Sequence, residues 1–477
     1  MNTFKRKSLY AALAGLGALG ATGAAQAVNV NPDGLGQVLI YPYYTTQGTN
    51  APYNSLLSVV NSTNSGKVVK VRFLEGKDSK EVLDFNLWLS PRDVWTAAII
   101  PFGGGAGIVT SDLSCTTPKV SSSGGAPTPF VNFLLSQDAA GATLDRTKEG
   151  YIEIIEMGNV TAATLAAITH AQPSPPGVPP GCAGLPVGAT APTDLVPGNG
   201  GLFGGISLVN PLAGGDVSSD AVALASFSAI TLWAPAGSIQ PDLSQVNPKL
   251  SVVFNNTEVD TTQWTGPQVF PVDPVSAVLM HDNVYNEFVL DAGTKSGTDW
   301  VVTFPTKHFY YNASNNVTKL FESNFRATGA CDDILLTQYN REEATIQSQT
   351  TFSPPPPTNT DSLCWEANVI TFNNSNVLLS VNKANLTTGF TNGWVSLNFF
   401  PGTITNPVHQ LIGDATIRVS TATGISSAQL QATYNGLPVI GFATQLFNNG
   451  TLPNPAGGSI QAFYTGSFIH KYTRLIQ

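Results

Sequence analysis

Alternation of apolar and polar residues between positions 54 and 100 constrains the fold of this chain more than any other feature. The apolar side of the pattern within residues 69–89 consists of Val69, Val71, Phe73, Leu83, Phe85, Leu87 and Leu89. The other side consists of Lys70, Arg72, Asp84, Asn86 and Trp88. A period of two with one apolar face predicts half-buried antiparallel strands. Turn-forming residues at 61–66 and 75–80 separate the runs, so we expect the strands to pair as a meander.

Short apolar runs separated by stretches rich in proline and glycine continue to the C-terminus. This pattern predicts an all-β fold of two or three antiparallel β-sandwich (Ig-like) regions with long Pro/Gly-rich loops. We expect β regions at 28–165, 201–330 and 331–477, with a loop or linker at 166–200. Later strands are predicted at 205–210, 223–233, 250–254, 277–280, 287–290, 300–304, 369–372, 377–381, 394–400 and 415–420, and near 463–469. One short helix is predicted at 161–170, where alanine and leucine predominate.

The N-terminal 27 residues have the form of a secretory signal peptide. Lys5, Arg6 and Lys7 precede an apolar run at 9–21, and Ala25 and Ala27 form an A-x-A cleavage site. The apolar run is short for a bilayer span and no other run approaches about 20 residues, so we expect no transmembrane anchor. The mature protein is therefore predicted to be extracellular or on the cell surface, with the periplasm as a second choice.

Charged residues are scarce, at 11% of the chain, and asparagine, threonine, serine and glycine supply the polarity instead. The signal peptide holds three of the 22 basic residues and no acidic residue, so removing it changes the net charge from −9 to −12. An acidic chain without basic clusters is a poor candidate for binding nucleic acid. We expect the partners to be the protein itself, other envelope components or glycans.

Four cysteines occur in the mature chain, at Cys115, Cys182, Cys331 and Cys364. An even number in an exported protein favours two disulfides, although four cysteines allow three connectivities. Pairing of neighbours would close two long loops and contribute about 4 kcal/mol each in the chain-entropy model. No two cysteines are close in sequence and none has a histidine beside it, so we expect neither a metal site nor a cofactor.

Five phrases resemble a family of exported proteobacterial proteins of unassigned function. They are VKVRFLEG at 69–76, EVLDFNLWLSP at 81–91, DVWT at 93–96, EGYIEIIEMG at 149–158 and WVVTFPT at 300–306. The resemblance covers most of the mature chain. It brings no catalytic motif, and it implies a cell-surface or extracellular location in a Gram-negative bacterium.

The mature sequence contains no H-E-x-x-H, G-x-S-x-G, Walker A, EF-hand or C-x-x-C pattern. His281 with Asp282 is the sharpest local candidate for a general base, but neighbours on a strand point to opposite faces, which favours a polar pair at a loop end. Glu153 and Glu156 are three apart on one strand, and this spacing argues against a carboxylate pair. A hydrolase would have to assemble dispersed residues.

Trp88 on the polar face of the meander, with Trp95 nearby, is the best single indication of a binding surface. An exposed aromatic ring on a flat sheet can stack on a sugar, and Arg72 and Asp84 lie on the same strands. Burial of Trp88 beneath a loop or another region is the competing interpretation, which we favour. The sequence thus predicts a non-enzymatic structural or adhesive protein, with a carbohydrate-binding protein, and then a hydrolase, as alternatives.

Overall fold

The chain folds into stacked β-sheets, as seen in a computed structural model. The structure describes residues 26–121, 125–170, 177–310, 320–321, 325–347, 352–353, 361–400, 409–453 and 457–477. The predicted signal peptide, apart from residues 26 and 27, lies outside the described residues, as does most of the proline tract at 353–357. Strands dominate the described part of the chain, so the all-β prediction is confirmed.

Two sheets face each other in the N-terminal half. The eight-stranded inner sheet has the order Asn29–Val30, Val222–Ala225, Val38–Thr45, Glu149–Val160, Gly66–Glu75, Glu81–Leu89 and Cys115–Thr117, and Leu195–Val196 also pairs with Glu149–Val160. The seven-stranded outer sheet has the order Gly215–Asp220, Gly205–Asn210, Asn54–Asn61, Val94–Phe102, Gly105–Val109 and Thr128–Pro129, and Leu202–Phe203 also pairs with Asn54–Asn61.

The C-terminal half contains two six-stranded sheets and three smaller ones. The arm sheet has the order Phe352–Ser353, Lys383–Leu386, Ala367–Phe372, Gly297–Thr303, Ile440–Pro453 and Ser459–Ile469. The other large sheet has the order Thr345–Gln347, Asp332–Asn340, Asn392–Asn398, Asn283–Val289 and Lys471–Thr473, with Asp361–Leu363 also paired to Asp332–Asn340. The smaller sheets are Leu250–Asn255, Glu258–Gln263, Thr416–Ser420 and Ser426–Gln429; Gln410–Gly413, Ala432–Asn435 and Leu475–Ile476; and Met280–His281 with Leu437–Pro438. The strands pair antiparallel, except that Ala367–Phe372 and Lys383–Leu386 are parallel.

Two α-helices lie in the described residues, α1 at Ala162–Ile168 and α2 at Asp273–Leu279. Short 3-10 helices occur at Leu135–Gln137, Leu144–Lys148, Cys182–Gly184, Leu243–Gln245 and Lys307–Phe309. Helix α1 lies within the predicted helix at 161–170. Helix α2 overlaps the strand predicted at 277–280, so this prediction was wrong. Every residue of α2 is buried, and the sequence therefore lacks the amphipathic period that identifies a helix.

Two other predicted strands also differ from the structure. The strand predicted at 223–233 ends at Ala225, where Ser226 adopts a φ of 54°. Residues 377–381 form no strand, and Leu379 has a φ of 56°, which is incompatible with an extended ladder. In both segments apolar residues are buried by an irregular chain path rather than by a sheet face.

Hydrogen-bonded sheets cross the boundaries predicted at 201 and 331. The strands Gly205–Asn210 and Gly215–Asp220 extend the outer sheet, whereas Asn283–Val289 and Gly297–Thr303 pair with strands after residue 331. The division into three regions remains a prediction about folding units.

Both faces of the inner sheet are covered. One face packs against the outer sheet in a core that includes Val69, Phe85 and Trp95. The opposite face contributes Leu74, Tyr151 and other residues to a core shared with the C-terminal sheets. A sheet with no solvent-facing side must place its alternating polar residues in the interior as well.

Two disulfides join neighbouring cysteines. Cys115 bonds Cys182 and Cys331 bonds Cys364, with sequence separations of 67 and 33 residues. The expectation of two disulfides is confirmed, and the structure selects one of the three possible connectivities. Cys115 belongs to the inner sheet, so its disulfide ties the loop after α1 to that sheet.

Candidate functional site

Trp88 and Trp95 are both fully buried, so the stacking platform considered from the sequence needs correction. Trp88 lies on the predicted face of its strand, but its ring packs with Trp233 at a centroid distance of 5.9 Å and its Nε1 donates to Thr117 Oγ1. Trp95 lies in the core between the inner and outer sheets, with its ring 5.7 Å from that of Phe85. A sugar ring cannot reach either side chain while these layers are in place.

A segment at residues 232–246, the covering segment, lies across the predicted polar face. Asn86 Nδ2 donates to the carbonyl of Ala234, and Lys70 Nζ donates to the carbonyl of Pro235. The amide of Gly237 donates to both carboxylate oxygens of Asp84. The alternating pattern predicts that this polar face contacts water. In the structure these hydrogen bonds between side chains and backbone groups take the place of bonds to water.

Arg72 and Asp84 belong to a buried ionic layer beneath this segment. Arg72 Nη1 lies 2.6 Å from Glu153 Oε2, and Arg72 Nε lies 2.7 Å from Glu81 Oε2. Lys70 forms an ion pair with Asp84. On an exposed face such pairs would contribute little to stability, whereas in the interior each charge depends on its partner.

Burial and pairing shift the ionisation of these groups in opposite directions. Burial raises the pKa of Glu153 to about 7, and the Arg72 guanidinium opposes this shift. Burial alone would lower the pKa of Arg72, but the carboxylates of Glu153 and Glu81 raise it overall. None of the cavities described below is lined by these residues.

Glu153 and Glu156 lie on opposite faces of the inner sheet, as their spacing predicts. Glu153 pairs with Arg72, whereas Glu156 Oε1 lies 2.5 Å from Lys67 Nζ at the end of the opposite core. The two carboxylates therefore cannot act on one substrate.

A second ionisable cluster lies where the two halves of the molecule meet. Lys307 Nζ is 2.6 Å from Asp332 Oδ2, and His308 Nδ1 is 3.8 Å from Glu366 Oε2. Burial raises the pKa of Glu366 well above its ordinary value and lowers that of His308 to about 3. The His308 imidazole is thus neutral near pH 7, and none of the cavities described below is lined by either residue.

An open cleft separates the outer sheet from the last strand of the arm sheet. Its outer groove has a volume of about 890 Å³, and its lining combines apolar side chains with the hydroxyl groups of Ser58, Thr96, Ser111, Ser207, Ser218 and Ser467. Ser219, Asp220 and Ile469 also line a deeper pocket of about 290 Å³, here called the histidine pocket. The two cavities are therefore neighbours, with Asp220 at their junction.

The histidine pocket is walled by apolar side chains and contains His281. Helix α2 leads directly into the two-residue strand that carries His281, which pairs with Leu437. Gly436 has a φ of 105°, and a Cβ there would lie 1.9 Å from the His281 carbonyl oxygen, so this close approach requires glycine. The position of His281 is therefore set by helix α2, which precedes its strand, and by the close approach of the partner strand next to Gly436.

Tyr472 and Arg474 complete the polar part of the histidine pocket. The rings of Tyr472 and His281 have centroids 4.0 Å apart, and the Arg474 guanidinium lies 5.1 Å from the centre of the Tyr472 ring. Arg474 Nη1 and Nη2 donate to the carbonyls of Met280 and Val278, at 2.9 Å and 2.8 Å. The end of α2 thereby holds the guanidinium in place.

Sequence reasoning singled out His281 but missed Tyr472 and Arg474. It paired His281 with the adjacent Asp282, whose Oδ2 instead accepts from Asn283 Nδ2. One feature of the sequence could have drawn attention to Arg474: Lys471 and Arg474 are the first charged residues after Arg418. Their proximity to His281 depends on strand pairing across nearly two hundred residues, which no local pattern encodes.

A long hairpin formed by Ile440–Pro453 and Ser459–Ile469 is the last part of the arm sheet. Its first strand pairs with Gly297–Thr303 only as far as Leu446, and beyond that point its ladder partner is its own second strand. A bond from the Asn448 amide to the Thr294 carbonyl fastens the base of this extension. The second strand of the hairpin, Ser459–Ile469, is here called the edge strand. Its ladder partner is Ile440–Pro453, and no further strand of the described chain pairs with it.

In the described ranges, neither helix is long and apolar enough to cross a bilayer. The same residues contain no group of three or more His, Cys, Asp or Glu side chains arranged to hold a metal ion. The molecule is thus defined as a disulfide-bonded all-β protein with an inter-sheet cleft and an open edge strand. Comparison of the chain with protein-family models, curated proteins and solved structures finds no significant match.

Proposed function

We propose that this chain is an exported, non-enzymatic structural or adhesive protein that associates with further copies of itself through the edge strand. The predicted signal peptide and the two disulfides support export. The observation that carries the proposal is the hairpin, whose second strand has no further ladder partner in the described chain, although part of that strand lies against Gly215–Asp220 of the outer sheet.

An open edge strand is a template for pairing with another chain, and most proteins protect such edges with charges. No charged residue occurs between Arg418 and Lys471, so neither strand of the hairpin carries one. Tyr464 is 56% exposed and Ile469 is 63% exposed on the edge strand. This strand thus offers backbone groups and apolar side chains without the usual protection.

The part of the hairpin beyond Leu446 is two-stranded, and a two-stranded hairpin is marginally stable by itself in water. A third strand would satisfy the open backbone groups and bury Tyr464. A second copy is the occupant we favour, because its own edge strand is equally uncharged and meets no repulsion. The acidic groups of the chain lie elsewhere in the sequence.

Sedimentation velocity and negative-stain microscopy of the purified mature chain test the proposal. The wild type is expected to form oligomers or sheets, and Ser459→Lys with Tyr464→Lys is expected to leave monomers, because lysines at an edge oppose strand pairing. Gln137→Lys with Thr143→Lys, which adds the same charge at exposed positions elsewhere, should assemble like the wild type. Equal assembly of both variants, or a wild type that stays monomeric at about 100 μM, where associations of micromolar Kd are saturated, would refute it.

Fractionation of the native producer tests the location separately. Recovery with the cell surface or the medium is expected, whereas recovery from the cell interior would contradict export.

Glycan binding is a second candidate function, favoured by the hydroxyl-lined outer groove. A glycan array with the wild type and Ser218→Leu distinguishes it, because loss of array binding in the variant would place the ligand in the groove. Such loss with unchanged assembly would separate this function from the first.

A further inference from the structure

The histidine pocket contains polar groups that the described protein leaves without partners. His281 is 8% exposed, and apart from an interaction with the Val439 backbone its ring nitrogens have no hydrogen-bond partner. The Nε of Arg474 is buried and likewise has no partner. Buried donors of this kind are rare, because each has lost water without gaining a protein partner.

Arg474 supplies a cationic group to the lining of the histidine pocket. Arg474 donates to two neutral carbonyls and also interacts with the Tyr472 hydroxyl. Burial lowers the pKa of Arg474, and the carboxylate of Asp282 opposes this shift without forming an ion pair. Buried guanidinium groups are normally paired with a carboxylate or phosphate, so one remaining partner position is open here. His281 beside it supplies a further N–H donor.

The remaining walls indicate an apolar body of limited size. Apolar side chains form most of the lining: Val30, Val222, Leu279, Val284, Val439 and Ile440. The volume of about 290 Å³ is at the lower end for ligand pockets. Asp220 at the mouth would repel a second negative charge, which disfavours phosphates and dicarboxylates.

We propose that the histidine pocket binds a small monocarboxylate with a compact apolar body, its carboxylate received by Arg474 and His281. The apolar walls hold the body, and the Tyr472 ring, which contacts both polar groups, lines one side. Ile469 of the edge strand lines part of this pocket, but the proposed ligand site does not rest on the proposed assembly.

Titration calorimetry of the mature chain with benzoate tests this proposal, with benzamide as the neutral isostere, acetate as the carboxylate without a body and phthalate as the dianion. Benzoate is expected to bind at least about tenfold more tightly than each of the three, because only benzoate matches both the charge and the walls. Equal binding of benzoate and benzamide would overturn the role of Arg474 and His281. Absence of benzoate heat up to about 10 mM, well above the Kd of even a weak small-ligand site, would show that the pocket holds only water.

Arg474→Met keeps the length of the side chain and removes its charge, and it is expected to weaken benzoate binding about tenfold or more. Arg341→Met, at an exposed arginine, is the matched control and should bind benzoate like the wild type. Arg474→Met also loses two bonds to α2, so a second variant, Ala221→Phe, adds bulk at a lining residue of the pocket without replacing either polar group. Benzoate affinity equal to that of the wild type in Ala221→Phe would refute the location of the site.

Discussion

Arg72 and Glu153 form a 2.6 Å ion pair on a sheet face that the sequence pattern assigns to solvent, yet both side chains are buried. Their strands are neighbours in the inner sheet, where Arg72 stands directly opposite Glu153 in the register. The pair is thus fixed by the sheet and enclosed by the covering segment, a combination that makes it sensitive to loss of either partner.

Replacing Arg72 by methionine is expected to destabilise the protein by about 3–5 kcal/mol, because Glu153 and Glu81 would remain buried without their cation. Urea denaturation of the wild type and the variant measures this difference. Lys148→Met is the comparison, since Lys148 pairs with a half-exposed Asp145 and should cost no more than about 1 kcal/mol. Similar losses in the two variants would show that the buried layer has no special role.

Trp88→Ala is expected to cost about 3–5 kcal/mol, because the ring fills a core formed with Cys115, Met157 and Trp233. Trp394→Ala removes a ring that is 39% exposed and should cost less. Calorimetric melting of the two variants gives the comparison. A Trp88→Ala protein of normal stability that loses glycan binding would revive the stacking platform and contradict the structure.

Each disulfide is expected to stabilise the fold by about 4 kcal/mol in the chain-entropy model. The disulfide that closes the 67-residue loop should contribute slightly more than the one that closes the 33-residue loop. Cys115→Ser with Cys182→Ser, and Cys331→Ser with Cys364→Ser, separate the two contributions in urea denaturation. The first pair should lose more than the loop-length difference predicts, because Cys115 also packs against the Trp88 cluster. The reverse order would contradict this packing.

The stability contributed by Asp273 is expected to depend on pH. Burial raises its pKa to about 7, so the folded state retains a proton that the unfolded carboxyl releases near its ordinary value. Stability from this group is present at low pH and is lost as the pH rises through about 7. Asp273→Asn cannot titrate, so the advantage of the wild type over this variant should fall by about 1.4 kcal/mol between about pH 6 and about pH 8.

Histidine titration affects both proteins equally and cancels in this difference, which urea denaturation at the two pH values measures. A constant difference across the range would show that Asp273 is ionised in the folded state.

The alternating pattern predicted the strands Gly66–Glu75 and Glu81–Leu89 and the faces on which their residues lie. The predicted meander is wrong in part, because Asn54–Asn61 pairs with Val94–Phe102 in the outer sheet. Phe85, Leu87 and Leu89 enter one core, and Trp88 lies on the opposite face, as expected. The strand at Gly205–Asn210 was predicted with its observed bounds. These elements were predictable because a period of two is a local property of the chain.

Helix α2 and the histidine pocket were not predictable in this way. Burial of every residue of α2 removed the period that identifies a helix, and residues 277–280 then resembled a strand. Arg474 reaches the carbonyl of Val278 only because the C-terminal strands return beside α2. Contacts across such separations depend on the topology of the sheets.

The sequence by itself determined that the chain is all-β, that its central strands separate an apolar from a polar face, and that four cysteines suffice for two disulfides. The tertiary structure decided which faces meet solvent, how the cysteines pair, and where His281 finds Tyr472 and Arg474. Alternation divides a strand into two faces by local geometry, but what covers each face depends on packing between distant segments. Arg72, Asp84 and Trp88 are therefore interior residues on a face that their own pattern marks as polar.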